Sequence, residues 1–353
     1  MVKQKKNSDH IYQFNSLILI WFDQNKRNLP WRHESDPYKI WLSEIILQQT
    51  RVAQGMGYYL NFVRTFPTIQ DLANASEQEV LRLWQGLGYY SRARNLHFTA
   101  KEIWNERNGI FPNNFQDLLN LKGVGEYTAA AIASIAFQEA VPAIDGNAFR
   151  VMARYFNINL DISQPKTRKY FFELGKEIIH PDRPGDFNQA FMELGATVCL
   201  PVNPKCEICP VNDSCEALGR NKIKELPVKT KKTKVSNRYF HFLEISDGDN
   251  YLMVQRTQKD VWMNLFTFPL VELKENEVWS SNLILPEIEL EKKQEEIHIL
   301  SHQRLNIQFY QAKVSSKQLK IISKELNADI FPMKAINELP IPRPMEKYLM
   351  NKI

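Results

Sequence analysis

The chain has 353 residues, of which 44% are hydrophobic and 24% charged, as in a soluble globular protein large enough for two domains. Its longest apolar run near the N-terminus, residues 17–22, is too short to span a bilayer and follows no cleavage-site pattern. We therefore expect a cytoplasmic protein with neither a membrane span nor a signal peptide. The net charge of +5 is concentrated in residues 220–238, with eight basic residues and one acidic residue. Such a run is usually a solvated linker, and it also attracts polyanions.

Helical apolar spacing dominates the first 220 residues, where no strand alternation is found. Asp36 and Pro37 supply an N-cap and a first-turn proline for one helix. Ser76 and Glu79 form a capping-box pattern for another, which the glycines at 86 and 88 end. We predict a turn at residues 29–32 and an all-α first domain with helices at 11–22, 37–49, 80–84, from 91 onward, and at 116–121, 126–137, 147–156, 166–179 and 188–199.

The pattern changes after the basic linker. Short alternating, β-branched or aromatic runs predict strands. Together with two helical segments they predict an α+β second domain, and we place the domains at residues 1–220 and 236–353 with the linker at 221–235. The predicted strands are 238–245, 251–256, 266–270, 297–300 and 306–314, and the predicted helices are 317–326 and the segment from 343 onward.

All four cysteines lie within 17 residues, separated by six, two and five residues. Their crowding in a chain without a secretory signal argues against disulfides. Four thiolates this close together suit a tetrahedral zinc ion or an iron–sulfur cluster, and three intervening prolines favour the loop that either site requires. The spacing leaves zinc and a cluster equally open. The predicted ligands are Cys199, Cys206, Cys209 and Cys215.

Gly123 and Gly125 precede a helical run rich in small residues. Glycines let the backbone approach a partner closely, and the free N–H groups at a helix start favour an anion such as a phosphate. Asp145 follows twenty residues after Gly125 and precedes another helical pattern. A simple turn between core helices, with Asp145 as an ordinary N-cap, explains the same residues.

Two carboxylates lie in contrasting settings. Glu44 is surrounded in sequence by apolar residues, where burial would raise its pKa and keep it protonated near neutrality as a general acid. A place on the solvated face of its helix is the alternative. The pKa of Asp145, at a predicted helix N-terminus, should fall. One protonated and one ionised carboxyl group are the pair that breaks glycosidic bonds through an oxocarbenium-like transition state.

Several motifs occur in an order and spacing that resembles one family. They are LPWR, SEIILQQT, GLGYYSRARNL, LKGVGEYTAAAIAS, DGN followed by Arg150, FNQAFMELGATVC and the cysteine loop. Together they are similar to those of the adenine DNA glycosylases of the MutY type, in the helix-hairpin-helix superfamily that includes endonuclease III. The match runs through residues 11–220 and continues more faintly beyond. It implies a helix-hairpin-helix glycosylase domain, a Nudix (MutT)-like domain, and removal of adenine paired with 8-oxoguanine or guanine in base excision repair.

The resemblance also implies roles for individual residues. The turn at 121–125, with Gly123 and Gly125, binds a DNA phosphate, and the cysteines hold a [4Fe–4S] cluster. Glu44 protonates a ring nitrogen of an adenine flipped out of the duplex and activates water, while Asp145 stabilises the oxocarbenium ion. The other implied contacts are Trp31, Arg32 and Gln189 in the adenine pocket, Gln49 and Tyr89 as wedges beside the opposing base, and Thr50 and Asn147 on substrate or DNA.

Tyr127 stands where the bifunctional, endonuclease III-like enzymes have a lysine that attacks the sugar. A tyrosine cannot form a Schiff base, but it can pack against the catalytic carboxylates or hydrogen-bond with them. We therefore predict a monofunctional, hydrolytic glycosylase. The alternatives are a glycosylase-lyase for oxidised pyrimidines, a non-catalytic iron–sulfur protein that binds DNA and, remotely, a Nudix hydrolase.

Ser301 and His302 resemble the loop by which this family recognises 8-oxoguanine opposite adenine, although Leu300 stands where the family often has an aromatic residue. Two ordinary strand-end residues are the alternative. The second domain carries no acidic Nudix box, so we interpret it as a lesion-recognition module without hydrolase activity. We expect a monomer on duplex DNA, associated with the nucleoid in a bacterium, whose linker can dock repair or replication proteins.

Overall fold

The computed structural model describes residues 2–231, 234–275, 277 and 288–351, with side chains from residue 13 onward. The chain divides into two compact units, Met1–Ala73 with Phe98–Lys231 and Asn74–His97 with Lys232–Ile353. Residues 74–97 therefore group with the C-terminal half, and the predicted boundaries at 220 and 236 stay a prediction. Linker residues 232 and 233, and residues 276, 278–287, 352 and 353 of the predicted second domain, lie outside the described residues.

The N-terminal two thirds of the chain is helical, as predicted, and contains no strand among its described residues. Asp36 accepts a hydrogen bond from Tyr38 N, and the capping box of Ser76 and Glu79 is formed. The helices are α1 (Val2–Asn25), α2 (Pro37–Leu47), α3 (Val52–Thr65), α4 (Ile69–Asn74), α5 (Glu77–Leu83), α6 (Ser91–Arg107), α7 (Phe115–Leu118), α8 (Glu126–Phe137), α9 (Gly146–Tyr155), α10 (Pro165–Ile178), α11 (Pro184–Thr197) and α12 (Glu216–Gly219), with 3₁₀ turns at Pro30–His33 and Cys206–Ile208.

Helices α3 and α4 were not predicted from the sequence. Helix α3 begins after Arg51 with no side-chain cap and contains two glycines, which weaken a helical pattern. Tertiary packing explains one of them. A Cβ on Gly55 would lie 2.8 Å from Leu47 Cδ2, so the glycine lets α3 approach α2 closely.

Helix α8 forms the centre of the first unit. Its residues from Thr128 to Ser134 are all buried, and it packs against α2 and α11. Small side chains permit this close approach, and Gly185 of α11 lies so near α8 that a Cβ would be 2.7 Å from Ser134 O. The helices that carry the candidate acid, the hairpin and α9 are therefore fixed by close packing.

The second unit contains a mixed sheet with the order β3-β2-β1-β6-β5, on which β4 also pairs with β1 and β7 with β2. The central strands β1 and β6 run parallel, and their register places Phe240 opposite Ile307. The strands are β1 (Ser236–Ser246), β2 (Asn250–Gln255), β3 (Phe266–Thr267), β4 (Leu270–Leu273), β5 (Glu291–Ile299), β6 (Gln303–Lys313) and β7 (Asp329–Pro332); the helices after the first strand are α13 (Ser316–Glu325), α14 (Met333–Ile336) and α15 (Arg343–Met350).

The predicted α+β character of this unit is confirmed. Helix α15 packs its Tyr348 ring on Phe309 of β6 with centroids 4.1 Å apart. Within the described residues, no helix combines the length and apolar character that crossing a membrane would take.

Candidate active site and cysteine loop

Glu44 lies on α2 and is buried, with 8% of its surface exposed. The Tyr127 hydroxyl of α8 donates a hydrogen bond to Glu44 Oε2 at 2.7 Å and lies 2.9 Å from Met192 Sδ. Burial raises the pKa of Glu44 to about 7; the charge of Asp145 adds to the rise, while Tyr127 and Arg32 oppose it. The expected burial of Glu44 is therefore present, and it raises the pKa of this carboxyl group into the range where a general acid can work at neutral pH.

Asp145 is the N-cap of α9. Its Oδ1 accepts from Ala148 N and its Oδ2 from Asn147 Nδ2, both at 2.7 Å. The prediction that its pKa falls is wrong: burial raises the pKa of Asp145, although these hydrogen bonds and the charge of Arg150 act in the opposite direction. Desolvation by neighbouring helices raises this pKa by more than the favourable helix terminus lowers it. The local sequence contains no sign of that desolvation.

Both carboxylates line one cleft of about 660 Å³ in the first unit. Three further predicted site residues, Gln49, Gly125 and Tyr127, belong to its wall. Trp31, Arg32 and Gln189 are not among the residues that line it. The cleft is lined by Glu44, Leu47, Gln48, Gln49, Gly125, Glu126, Tyr127, Thr128, Pro142, Ile144, Asp145, Gly146, Phe149, Arg168 and Phe172.

The turn at 121–125 joins α7 to α8, as the hairpin prediction requires. Gly123 has a φ of 80°, the left-handed conformation that glycine adopts without strain. Gly125 has an ordinary φ of −95° and caps α8 without a side-chain hydrogen bond, and a Cβ there would meet only open space. The first backbone N–H groups of α8 are therefore approachable from the cleft.

Trp31 and Arg32 lie in the 3₁₀ turn before α2. Trp31 packs edge-on against Tyr59 with ring centroids 5.2 Å apart. Arg32 forms an ion pair with Glu193 of α11, and its buried Nε and Nη1 have no hydrogen-bond partner among the described residues. Glu193, 1% exposed, also accepts from Arg27 Nε at 2.6 Å. This buried carboxylate was not predicted from the sequence, since only tertiary contacts bring the two arginines to it.

Gln49 and Tyr89 share an unusual backbone conformation. Gln49 follows α2 with a φ of 55°, and Tyr89 precedes α6 with a φ of 48°. Both side chains are exposed, and left-handed backbone is uncommon for residues of these types. Such conformations cluster at ligand-binding sites, where surrounding structure maintains them. Thr50, next to Gln49, donates from its backbone N–H to Leu47 O at 3.1 Å.

Ser301 and His302 form the tip of the hairpin between β5 and β6, closed by a hydrogen bond from Leu300 N to Gln303 O at 2.8 Å. Both tip residues are exposed. Within the second unit, the Ser301 hydroxyl forms a hydrogen bond with the Tyr89 hydroxyl. Two residues singled out by separate motifs are therefore neighbours.

The four cysteine side chains line one cavity together with Arg154. Arg154 Nη1 lies 3.4 Å from Cys199 Sγ and donates to Leu200 O at 2.7 Å, which holds the start of the loop. Burial raises the pKa of Cys209 to about 12, and backbone N–H groups near Cys209 and Cys215 act against the rise. In the described part of the chain, no three His, Cys, Asp or Glu converge as the ligands of a single ion do. The four sulfurs line one cavity beside backbone N–H donors, an arrangement that suits metal-bound thiolates.

Arg150 connects this loop to the start of α9. Its guanidinium donates to Cys199 O and to Asn147 Oδ1, both at 2.7 Å. Asn147 in turn holds Asp145. A Cβ on Gly195 would lie 2.5 Å from Asn147 Cβ, so α11 leaves no space beside Asn147.

Three family models match the chain. Residues 42–177 match the HhH-GPD superfamily of base excision DNA repair proteins, residues 199–215 match the iron–sulfur binding domain of endonuclease III, and residues 241–351 match the NUDIX domain. The solved structure of a thermostable thymine-DNA glycosylase covers 61% of this chain and 99% of its own, with 30% identity and a TM-score of 0.56. The chain thus has the fold of a helix-hairpin-helix DNA glycosylase followed by a Nudix domain.

The chain is also similar to an adenine DNA glycosylase from Buchnera aphidicola subsp. Schizaphis graminum (strain Sg). It is 34% identical over 351 residues, which are 96% of this chain and 98% of the relative. The adenine DNA glycosylase of Homo sapiens is 46% identical over 216 residues, 59% of this chain and 40% of that relative. This chain belongs to the adenine DNA glycosylases, base excision repair enzymes that carry a [4Fe–4S] cluster. Family membership therefore favours the cluster over the zinc ion, the two sites that cysteine spacing left open.

Proposed function

We propose that this enzyme hydrolyses the N-glycosidic bond of adenine paired with 8-oxoguanine, or with guanine, in duplex DNA and leaves the strand uncut. The observation that carries the proposal is the pair of carboxylates in one cleft. Glu44 has a pKa of about 7 and can donate a proton at neutral pH, while Asp145 is held by two hydrogen bonds beside it. This is the combination that departure of a purine from deoxyribose requires.

Glu44 is proposed as the general acid. Its carboxyl proton passes to a ring nitrogen of the flipped adenine, and the bond between C1′ and N9 breaks with its electron pair leaving on the base. The resulting carboxylate then accepts a proton from the water that attacks C1′. The Tyr127 hydroxyl supports this exchange because it donates to Glu44 Oε2 and stabilises the ionised form.

Asp145 is proposed to stabilise the oxocarbenium ion. Hydrogen bonds from Ala148 N and Asn147 Nδ2 fix both carboxylate oxygens and favour the ionised state against the effect of burial. A negative charge already in place when positive charge develops on the sugar lowers the barrier without further reorganisation. Tyr127 offers no amine for a Schiff base, which supports hydrolysis over strand cleavage.

The proposed DNA contacts include residues inside and outside this cleft. The hairpin with Gly123 and Gly125 presents backbone N–H groups to a phosphate, and the unpaired N–H donors of Arg32 suit the acceptor nitrogens of adenine. We assign Trp31 and Gln189, with Arg32, to adenine recognition, Gln49 and Tyr89 to the stack beside the opposing base, Thr50 and Asn147 to substrate or DNA, and Cys199, Cys206, Cys209 and Cys215 to the cluster.

Recognition of 8-oxoguanine is proposed for the hairpin tip of the second unit. Ser301 and His302 are exposed there, and Ser301 contacts Tyr89. A wedge residue and a lesion contact that touch each other can examine the same opposing base. We also propose a monomer that works at the nucleoid in the cytoplasm, with residues 221–235 available to repair or replication proteins.

The test uses purified protein and duplexes with adenine opposite 8-oxoguanine, guanine or thymine, and with thymine glycol opposite adenine. We expect adenine release from the first two, fastest opposite 8-oxoguanine, and strand breaks only after alkali. Release of thymine glycol, or strand cleavage without alkali at the rate of base release, would instead identify a glycosylase-lyase.

A further inference from the structure

Helix α10 contributes two side chains, Arg168 and Phe172, to the wall of the catalytic cleft. Phe172 is held against Phe115 of α7 in a stacked arrangement, with centroids 5.8 Å apart. Arg168 lies one turn before it and is exposed; its backbone N–H donates to Gln164 O at 3.2 Å, while its side chain forms no hydrogen bond or ion pair with another described residue. The cleft therefore has a cation on its wall whose five N–H donors are available to a ligand.

The charge around Arg168 is unfavourable for the isolated helix. Lys166, Arg168 and Lys169 lie within the first five residues of α10, and its first turn contains no acidic residue. Positive side chains oppose the helix dipole at this end. Helix α5 has the usual arrangement, with Glu77 and Glu79 in its first turn. An anion outside the helix would balance the charge on α10.

We propose that Arg168 binds a phosphate of the DNA strand that carries the target adenosine. The inference rests on the proposed function, because it takes the cleft with Glu44 and Asp145 as the place where that nucleotide is held. The guanidinium can bind one phosphate in a bidentate manner. The hairpin at 121–125, of which Gly125 lines the same cleft, offers backbone N–H groups to another phosphate. Two grips on one strand fix the nucleotide between them, which orients the sugar towards the carboxylates.

The test compares Arg168→Gln with Arg168→Lys and Lys169→Gln in the full-length protein with its cluster. Lys169 is an exposed neighbour with the same charge that does not line the cleft, so its variant controls for diffuse electrostatic attraction. The probe is a duplex with 2′-fluoro-2′-deoxyadenosine opposite 8-oxoguanine, whose glycosidic bond resists hydrolysis. Dissociation constants are measured between 0.05 and 0.5 M potassium chloride, first with the normal backbone and then with single methylphosphonates near the adenosine.

We expect Arg168→Gln to reduce the slope of log affinity against log salt by about 0.9, the contribution of one phosphate contact. If the two proteins bind equally at 1 M salt, this change in slope corresponds to about an eightfold loss of affinity at 0.1 M salt. Lys169→Gln should change the slope by much less, and Arg168→Lys should retain most of the wild-type slope. One methylphosphonate should weaken the wild type and leave Arg168→Gln unaffected, which identifies the phosphate that Arg168 holds.

Equal slopes for Arg168→Gln and the wild type would overturn the proposal, as would equal losses in Arg168→Gln and Lys169→Gln. Additive effects of Arg168→Gln and every methylphosphonate would also overturn it. Circular dichroism and the visible spectrum of each variant check folding and cluster content. Adenine release by the wild type is measured in parallel, so that failure of the proposed function is distinguished from failure of this inference.

Discussion

Replacing Tyr127 by Phe tests how the active site sets the proton affinity of Glu44. If the protonated carboxyl group of Glu44 is the acid, the rate of adenine release at subsaturating enzyme falls about tenfold per pH unit above the pKa of this group, about 7. The Tyr127 hydroxyl donates to Glu44 Oε2 at 2.7 Å and stabilises the ionised form, so it lowers that pKa. Phe keeps the ring and removes the donor. The alkaline limb of the profile should therefore move to higher pH.

The size of this shift follows from the hydrogen bond. A bond to a charged group contributes about 1.5 to 3 kcal/mol, and one pKa unit corresponds to about 1.4 kcal/mol. Since water can partly replace the hydroxyl, we expect the pKa of Glu44 to rise by about one unit. The raised pKa also has a cost in stability. Between pH 4.5, the ordinary value, and about 7 the folded chain keeps a proton that the unfolded chain releases, so stability falls as the pH rises through this window.

The assay is adenine release at subsaturating enzyme, measured from pH 5 to 9 at constant ionic strength for the wild type and Tyr127→Phe. An unmoved alkaline limb in the variant would refute the proposed coupling between the hydroxyl and Glu44. A limb displaced to lower pH would reverse its sign. Binding to the 2′-fluoro duplex at each pH controls for changes in DNA affinity.

Three further outcomes are expected. Asp145→Asn should slow single-turnover adenine release by about a hundredfold or more, with little change in affinity for the 2′-fluoro duplex. The reason is that the substitution removes a charge that matters only in the transition state. Equal losses in rate and affinity would contradict this role. Gly195→Ala should lower the melting temperature by several degrees, because the new Cβ would lie 2.5 Å from Asn147 Cβ, whereas Gly219→Ala, with open space around its Cβ, should not. Cys209→Ser should lose iron and visible absorbance in proportion, and an unchanged iron content would remove this residue from the ligand set.

Local patterns predicted what depends on local chemistry. The capping box at Ser76 and the bounds of α8 needed only residue order. The raised pKa of Glu44 was predictable because apolar neighbours on every side of a helix indicate burial. The pKa of Asp145 was not, since its desolvation comes from other helices. Glu193 was missed for the same reason: no sequence signal places Arg27 and Arg32 against it.

Some backbone conformations could likewise be predicted from the sequence, and others could not. Gly123 was identifiable as a turn residue, and the structure gives it a left-handed φ. The left-handed conformations of Gln49 and Tyr89 could not be predicted, because neither residue type favours them. The grouping of residues 74–97 with the second unit likewise depends on contacts far apart in sequence, among them a hydrogen bond from Ile341 N to Gln85 Oε1 at 3.2 Å.

The central claim is that Glu44 supplies the proton on which adenine departs. Single-turnover release of adenine from a duplex with adenine opposite 8-oxoguanine, compared between the wild type and Glu44→Gln, tests it most directly. The amide keeps the shape and can still accept the Tyr127 hydrogen bond, but it cannot donate a carboxyl proton. We predict that Glu44→Gln binds the 2′-fluoro duplex as tightly as the wild type and loses about a hundredfold to ten-thousandfold in rate. A variant that releases adenine at the wild-type rate would contradict the account.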